Sequence, residues 1–371
     1  MNITVDKSIL VDALARIQSI CGRKTNNVIT TSVLIKAESD FIQIVSTDYE
    51  TGFKGNYSAI VDTSGIVAIN GKKLYEIIRE LPAEKINIVE VENYWIKITE
   101  GKILYHLVGM NPDEFPTLED MAESESSVQV NAAMFRKALE CALTISVGEE
   151  KKPHTTGIFL QYVSDETPIL RMLSTDISRL VKVDIPCSGK NLEALVKGVI
   201  LSKKCMGDVY RILTDNGMID ITLGNNRIFF KQNEESISVS LMEGGFPPFI
   251  NYIKKIGKES VLLEKNLFLA MMKRMTILIS DEYKGVVVSL AENRMTITST
   301  NPNLGESQEE TVVLFQGEPV QLAINPRFII DAINMIETSH ILFKFGESRE
   351  PCIIEGKDDS TIQNVIMPMR L

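Results

Sequence analysis

Apolar residues recur every three or four positions in three well-separated stretches, the pattern of an amphipathic helix. The stretches begin at Asp6, Asn131 and Glu264. The apolar faces comprise Leu10, Leu14 and Ile17 in the first, Phe135, Leu139 and Ala142 in the second, and Leu267, Met271 and Met275 in the third. Asp6 and Asn131 are residue types that cap helix N-termini. The pattern therefore predicts three similar helices, each burying one face.

Each predicted helix is followed by segments of alternating apolar and polar residues, as expected for antiparallel strands with one buried face. One segment of each set ends in a related tripeptide, Ser-Thr-Asp at 46–48 and 174–176 and Ser-Thr-Asn at 299–301. A second amphipathic helix follows, at 72–81, 203–213 and 326–336. The repeated order indicates a triplication with a period of about 125–130 residues, which is the size of a domain.

The expected fold class is α+β, with three repeated domains that each combine antiparallel sheet with two helices. We expect the domains at 1–126, 127–255 and 256–371, joined through the stretches 117–127 and 250–260. The apolar terminus, residues 363–371, falls where the first two repeats have their last strand. Part of the terminus is therefore predicted to be a paired strand, with its last residues projecting beyond it.

Composition favours a cytoplasmic protein. The five cysteines are scattered singly, as expected of thiols in a reducing compartment, and no signal peptide or membrane-spanning apolar run is evident. The net charge of -10 argues against nucleic acid as a partner. Local basic clusters on the helices and nearby loops argue the other way, although each alone reads as a solvated helix face. The candidate phosphate-contacting residues are Arg23, Lys24, Lys72, Lys73, Lys151, Lys152, Lys203, Lys204 and Lys284.

Residues typical of an active site do not form a recognisable pattern. The three histidines lack the spacing of a zinc site, and the stretch from Gly65 to Lys73 departs from a phosphate-binding loop in length and final residue. We predict that this stretch is a strand turning into a helix. No catalytic residues, metal or cofactor are expected. A hydrolase or transferase using scattered carboxylates, and a scaffold that never encircles DNA, remain as alternatives.

Several motifs resemble the bacterial DNA sliding clamp, the beta subunit of DNA polymerase III. They are Met367-Pro368-Met369-Arg370-Leu371 at the terminus, STDISRL at 174–180, GGFPPF at 244–249 and GKKLYEIIRELP at 71–82. The resemblance covers the whole chain. It implies the DNA-clamp fold and a homodimer closed head-to-tail into a ring, with helices lining a hole through which duplex DNA slides without sequence specificity. It also implies a processivity factor rather than an enzyme, and a separate ATP-driven loader that opens the ring.

The resemblance further implies two interaction surfaces. The dimer interface would use Lys73, Ile77, Lys102, Tyr105 and Leu107 of one chain and Leu278, Ile279, Glu306 and Glu309 of the other. Three acidic positions of the family are replaced here, by Asn303, Gly305 and Gln308.

The second surface is a pocket between the second and third domains for short linear peptides. The implied partners are the polymerase III catalytic subunit, the clamp loader, other polymerases and repair proteins. Its matching residues are Thr155, Thr175, Ile177, Ser178, Arg179, Leu180, Pro247, Asn251, Tyr252, Asn325, Phe328, Val365, Met367, Pro368, Met369, Arg370 and Leu371. Thr155, Ile177, Ser178 and Asn251 depart from the family's usual residues, which puts the peptide preference in question.

Overall fold

A computed structural model of the chain describes residues 1–23, 25–119, 127–145, 157–164, 167–190, 193–247, 259–280, 282 and 284–369. The chain forms two compact units. Unit 1 comprises Met1–Arg136, Cys187–Lys197 and Lys203–Leu241, and unit 2 comprises Lys137–Pro186, Gly198–Ser202 and Met242–Leu371. The α-helices among the described residues are α1 (Lys7–Cys21), α2 (Gly71–Glu80), α3 (Ala132–Thr144), α4 (Glu193–Val196), α5 (Lys203–Ile212), α6 (Lys265–Met275) and α7 (Pro326–Met335).

The strands carry most of the remaining described chain. The first ten are β1 (Asn2–Asp6), β2 (Ser32–Glu38), β3 (Phe41–Thr47), β4 (Thr51–Ser58), β5 (Ile60–Thr63), β6 (Gly65–Asn70), β7 (Lys85–Glu90), β8 (Trp95–Glu100), β9 (Ile103–Val108) and β10 (Ser127–Asn131). The next seven are β11 (Ile158–Ser164), β12 (Pro168–Thr175), β13 (Arg179–Lys190), β14 (Val199–Leu201), β15 (Met218–Leu223), β16 (Arg227–Gln232) and β17 (Glu235–Met242). The last eight are β18 (Glu259–Glu264), β19 (Val286–Ala291), β20 (Arg294–Asn301), β21 (Gly305–Val312), β22 (Val320–Ile324), β23 (His340–Phe345), β24 (Cys352–Gly356) and β25 (Asp359–Ile366).

Unit 1 contains two runs of antiparallel strands. One is a five-stranded sheet in the order β5-β1-β7-β8-β9. The other runs β10-β15-β16-β17-β4-β3-β2-β6, with the last residues of β13 paired to β10. The predicted strand-to-helix stretch is β6 followed by α2, so that prediction is confirmed.

Unit 2 also contains two antiparallel runs. One runs β18-β23-β24-β25, continues through the first part of β13, and extends to β12, β11 and β14. The other is a four-stranded sheet in the order β21-β20-β19-β22. The terminus is a paired strand up to Ile366, as predicted, because β25 lies between β24 and β13. The predicted α+β class with antiparallel sheets is confirmed.

The helices bury the predicted faces with one exception. Leu10, Leu14 and Ile17 of α1 are fully buried, and burial of each stabilises the unit by about 1.5–3 kcal/mol. In α6 the prediction was wrong for Leu267, which is 45% exposed, because Phe268 is the residue that packs into the core. Adjacent apolar residues lie about 100° apart on a helix, so periodicity alone could not choose between them.

N-capping follows the predicted positions but not always the predicted chemistry. The Asn131 side chain accepts a hydrogen bond from the Met134 N–H at 3.1 Å. Asp6 occupies the capping position of α1 but makes no side-chain cap bond, so that expectation was wrong in its chemistry. Glu264, where the third helical pattern begins, does cap α6, accepting from the backbone N–H groups of Asn266 and Leu267.

A basic side chain of each first helix binds the end of a second helix. Lys7 donates to the Leu81 carbonyl at 2.5 Å, and Lys265 donates to the Ile336 carbonyl. Arg136, one turn further along α3, donates to the carbonyls of Tyr210 and Leu213. A cation at a helix C-terminus satisfies carbonyls that lack helical partners. The same contact between a cation of the first helix and carbonyls at the end of the second helix therefore occurs in all three repeats. No helix among the described residues is long and apolar enough to cross a membrane.

Candidate functional site

The repeated Ser-Thr-Asp tripeptide builds a turn. Thr175 Oγ1 donates to the Arg179 carbonyl at 2.7 Å and accepts from the Ile177 N–H at 3.0 Å. Asp176 Oδ1 accepts from the N–H groups of Ser178 and Arg179, both at 3.0 Å. These bonds hold Ile177 at φ 78°, a left-handed conformation that β-branched residues rarely adopt. The Ile177 side chain is consequently 66% exposed at the tip of the turn.

Unit 1 repeats the same turn. Thr47 Oγ1 bonds the Thr51 carbonyl and the Tyr49 N–H, and Asp48 Oδ1 accepts from the N–H groups of Glu50 and Thr51. Tyr49 takes the place of Ile177, at φ 74° and 50% exposed. The Thr and Asp side chains of the tripeptide therefore form the hydrogen bonds of the same turn in both units.

Arg179 fastens the unit 2 turn to a helix. Its guanidinium bonds Asp176 Oδ2 at 2.9 Å and Asp331 Oδ2 of α7 at 2.5 Å. It also lies over the Phe328 ring, 4.3 Å from the ring centre. Because Arg179 is only 6% exposed, it acts as a support for the site and not as a free surface cation.

The terminal segment lies beside this turn. The Met367 N–H donates to the Ser178 carbonyl at 2.9 Å, and the Met369 N–H donates to the Ala323 carbonyl at 2.7 Å. Met367 is 43% exposed and Met369 39% exposed, while the backbone of both is fixed. Adaptable apolar side chains on a fixed backbone suit the binding of several apolar ligands.

An apolar cluster lies beneath the turn and the terminal strand. Leu180, Ile353 and Val365 are buried together, and the half-buried Phe246 packs against them. Phe246 also stacks on Phe159, with ring centroids 4.9 Å apart. Gly198 makes room for that ring, since it lies at φ 73° and a Cβ there would come within 2.1 Å of Phe159.

The structure thus brings together much of the predicted pocket. The contacts just given involve nine of the predicted residues: Thr175, Ile177, Ser178, Arg179, Leu180, Phe328, Val365, Met367 and Met369. Pro247 is half-buried next to Phe246, and Pro368 is half-buried between the two methionines. Asn325 caps α7 through its side chain. Thr155, Asn251, Tyr252, Arg370 and Leu371 lie outside the described residues. Sequence reasoning missed Phe159 and Gly198, which carry no local motif.

The predicted phosphate contacts in unit 1 include two residues that are already paired. Arg23 bonds Asp48 at 2.8 Å and Asp208 at 2.6 Å, and Lys204 bonds Asp48 at 3.2 Å and Glu50 at 2.8 Å. Burial alone would raise the pKa of Asp48, but the Thr51 N–H, Arg23 and Lys204 together lower it. This cluster therefore presents little net positive charge.

The remaining candidates differ in their surroundings. Lys72 and Lys284 are exposed, Lys203 is half-buried, and exposed Lys73 bonds Glu76 on its own helix at 2.7 Å. Lys24, Lys151 and Lys152 lie outside the described residues. A DNA contact by any of these residues stays a prediction.

Two sheet edges carry four of the nine predicted dimer residues, Tyr105, Leu107, Glu306 and Glu309. In the described part of unit 1, no strand pairs with the outer side of β9, which exposes Ile103, Leu104 and Tyr105. In unit 2, β21 is likewise the edge of its four-stranded sheet and carries Glu306 and Glu309. An unpaired edge is a template for another strand.

The other predicted interface residues lie on α2, in a turn and after α6. Ile77 is half-buried on α2, and Lys102 is exposed in the turn between β8 and β9. Leu107, on β9 itself, is also half-buried. Leu278 is half-buried, and Ile279 packs against the core of unit 2. Ile277, which sequence reasoning missed, is 75% exposed, and its position in an apolar run gave no sign of this.

Comparison with known proteins finds similarity along the whole chain. Models of the DNA polymerase III beta subunit match it in succession: the N-terminal domain at 1–119, the central domain at 129–248 and the C-terminal domain at 254–370. The beta sliding clamps of Caulobacter vibrioides and Bacillus subtilis are each 24% identical, over 377 and 387 residues, covering 100% of both chains.

Solved structures share the fold. The sliding clamp (DNA polymerase III subunit beta) of Bartonella birtlesii, bound to griselimycin, has a TM-score of 0.91 at 23% identity and covers 100% of both chains. The sliding clamp of Bacillus subtilis has a TM-score of 0.91 at 22% identity, covering 100% of this chain and 99% of its own.

Proposed function

The chain belongs to the DNA polymerase III beta-subunit family, and from this premise we propose that it is a processivity factor that closes into a homodimeric ring around duplex DNA. The observation that carries the proposal is the pair of unpaired sheet edges, β9 in the first repeat and β21 in the third. Head-to-tail contacts between unlike edges give a ring when the rotation closes. Three domains at 1–126, 127–255 and 256–371, no catalytic activity and a cytoplasmic location belong to the same proposal.

Two junctions inside the chain support this way of closing. In unit 1, β17 pairs with β4, and in unit 2, β25 pairs with β13. In both, the last strand of one repeat meets the strand that follows the Ser-Thr-Asp turn of the preceding repeat. β9 is the last strand of the first repeat, and β21 follows the Ser-Thr-Asn turn of the third. The two free edges are therefore the counterparts of strands that pair elsewhere.

The internal junctions also suggest a register. Each repeat ends in two paired strands. Counting back four residues from the end of the first of these strands gives Ile228, Cys352 and Ile96. Their partners in the last strand are Val239, Ile366 and, in β9, Leu107. Val239 pairs with Thr51, and Ile366 pairs with Arg179. Leu107 should therefore pair with the third repeat's counterpart of Thr51 and Arg179.

That counterpart is Gly305. Thr51 and Arg179 each directly precede the residue that closes the turn. The closing pairs are Gly52 with Thr47, Leu180 with Thr175 and, in the third repeat, Glu306 with Thr300. The proposed register between two copies thus runs antiparallel from Leu107 opposite Gly305 to Ile103 opposite Glu309.

The burial of the two strands agrees with this register. Tyr105 and Leu107 lie opposite the buried residues Ile98 and Ile96 of β8, on the core face. Ser307, Glu309 and Thr311 are the half-buried residues of β21. The register places Tyr105 opposite Ser307, so the core faces of both strands coincide. A slip of one residue would turn one strand inside out.

The surface formed by Ile177, Met367, Met369 and the cluster beneath them is proposed as the site for short linear peptides. Its partners would be the polymerase III catalytic subunit, the clamp loader, other polymerases and repair proteins. Apolar side chains on a fixed turn and a stiff Pro368 lower the ordering cost of binding. Griselimycin, bound by the Bartonella birtlesii clamp, is a compound to test as a ligand of this chain.

Retention on DNA tests the ring. The protein would be loaded onto nicked circular duplex with a clamp loader and ATP, separated from free protein by gel filtration, and then treated with a nuclease that cuts the circle once. We expect retention on the circle and loss on linearisation, because a ring is held by topology and not by tight contacts.

Uncut circles incubated with heat-inactivated nuclease are the matched control. Equal loss from circular and linear DNA would contradict encirclement. Sedimentation at micromolar concentration adds a second measurement, in which a monomer would contradict the dimer.

A further inference from the structure

In unit 1, the tenth residue of one repeat's first helix bonds residues of the next repeat. Arg16, the tenth residue of α1, donates from Nη1 to the Ile212 carbonyl at 3.0 Å and to Glu235 Oε2 at 2.6 Å. Ile212 is the last residue of α5, the second helix of the next repeat. Arg16 thus neutralises the end of that helix, where carbonyls lack helical partners.

In unit 2 the same position lies within electrostatic range of the same helix end. Cys141 is the tenth residue of α3, and Glu337 lies two residues beyond the end of α7. Burial raises the pKa of the Cys141 thiol to about 11, and the negative charge of Glu337 adds to that rise. Both internal junctions therefore place position ten of a first helix near the C-terminal end of the next repeat's second helix.

In the third repeat this position is Arg274, the tenth residue of α6. Its Nε donates to Glu309 Oε2 of the edge strand β21 at 2.9 Å, and its side chain is 52% exposed. Within the chain α5 is matched to α1 and α7 to α3, which leaves one second helix for α6. The matching helix is α2, whose tenth and last residue, Glu80, has a side chain that is 71% exposed.

We propose that Arg274 of one copy binds the C-terminal end of α2 of a second copy at Glu80, while Glu309 holds the guanidinium in position. The proposal rests on the dimeric ring proposed above and names the residue that fastens its joint. A guanidinium has five N–H donors, so a bond pair with one carboxylate leaves donors for helix-end carbonyls and for the Glu80 carboxylate.

The proposed strand register fits this arrangement. Glu235, which orients Arg16, pairs with Gly55 across the unit 1 junction. In the joint between copies, the corresponding pair is Ile103 opposite Glu309. In the unit 1 junction the orienting carboxylate, Glu235, lies on the last strand of the following repeat. In the joint between copies the orienting carboxylate, Glu309, lies on the other strand of the equivalent pair, so it belongs to the same chain as Arg274.

The test is the dissociation constant of the dimer, measured by sedimentation velocity over a dilution series. Arg274→Gln should weaken the dimer about 5- to 30-fold, because a ring contains two copies of the joint and each loses a half-exposed ion contact. Arg294→Gln is the matched control. Arg294 pairs with Glu310 at 3.4 Å, is 63% exposed and lies on β20, in the same sheet as Glu309.

A second variant separates a direct contact from a structural effect. Glu80→Lys should weaken the wild-type dimer by opposing Arg274, and its effect should disappear when Arg274→Gln is also present. The proposal is overturned if Arg274→Gln matches Arg294→Gln within twofold, or if Glu80→Lys acts equally in both backgrounds. A wild-type chain that stays monomeric would overturn the ring as well, so the two failures are distinguishable.

Discussion

At the scale of single residues, the recurring tripeptide shows what a sequence motif can mean. The repetition of Ser-Thr-Asp was visible in the sequence, but its purpose lies in backbone bonds that only the folded turn displays. Thr and Asp side chains satisfy four turn bonds and so hold Ile177 and Tyr49 at positive φ. Strain of this kind persists only where the surroundings over-determine it.

Ile177→Gly should separate strain from binding. Glycine adopts positive φ freely, and the exposed isoleucine contributes little burial, so the free energy of unfolding should stay within about 1 kcal/mol of wild type. Binding of a fluorescent peptide from the polymerase III catalytic subunit should weaken about 3- to 10-fold, because an apolar contact is lost. Urea unfolding and fluorescence anisotropy measure the two effects.

Tyr49→Gly is the control for Ile177→Gly. It makes the same change at the equivalent turn in unit 1, and the peptide affinity should not alter. Equal loss of peptide binding in both variants, or in neither, would contradict the assignment of Ile177 to the peptide surface.

Ion pairs between distant residues could not be read from the sequence. Arg23 and Asp208 are separated by 185 positions, and Arg179 and Asp331 by 152. No local pattern marks such partners, so the sequence predicted a phosphate contact for Arg23 and a pocket position for Arg179 without their carboxylate partners. In the structure Arg179 is buried and Arg23 is half-buried, and both hold carboxylates. Breaking the pair of Arg23 with the fully buried Asp208 would leave an unpaired charge.

At the scale of elements, the helices and strands were largely predictable. Second helices expected at 72–81, 203–213 and 326–336 are observed at Gly71–Glu80, Lys203–Ile212 and Pro326–Met335. Periodicity identifies an element, but it does not identify which neighbour fills the core, as Leu267 and Phe268 show. Strand partners were also hidden, because pairing such as β25 with β13 depends on the whole fold.

The proposed pairing of β9 with β21 predicts which engineered cysteines join two copies. In a Cys187→Ser background, His106→Cys with Glu306→Cys should form a disulfide between chains, and so should Leu104→Cys with Gln308→Cys. Directly opposite residues lie about 4.5–5.5 Å apart, within disulfide reach. Non-reducing gel electrophoresis after mild oxidation would detect the linked dimer.

His106→Cys with Gln308→Cys is the out-of-register control. Its diagonal separation of about 7–8 Å lies beyond disulfide reach. A stronger cross-link in this pair than in the two aligned pairs would contradict the register, while the dimer itself could still stand.

At the scale of the whole molecule, the negative net charge is the opposite of what contact with DNA would favour. The net charge of -10 opposes contact with DNA, yet the proposed ring would need only weak, non-specific attraction where the duplex would pass. Arg23 and Lys204 are largely neutralised by Asp48, Glu50 and Asp208. The exposed Lys72 and Lys284 are therefore better candidates for phosphate contact.

The salt dependence of DNA binding tests that choice. Lys72→Glu with Lys284→Glu should weaken binding to duplexes of any sequence and reduce the slope of log affinity against log salt by about 2, close to 0.9 per lost phosphate contact. Lys231→Glu with Lys357→Glu changes the net charge equally at exposed sites on a strand and a hairpin turn, and its slope should match wild type. If both double variants shift the slope alike, overall charge governs binding and no defined phosphate surface exists at Lys72 and Lys284. If neither shifts it, the contact lies elsewhere on the molecule.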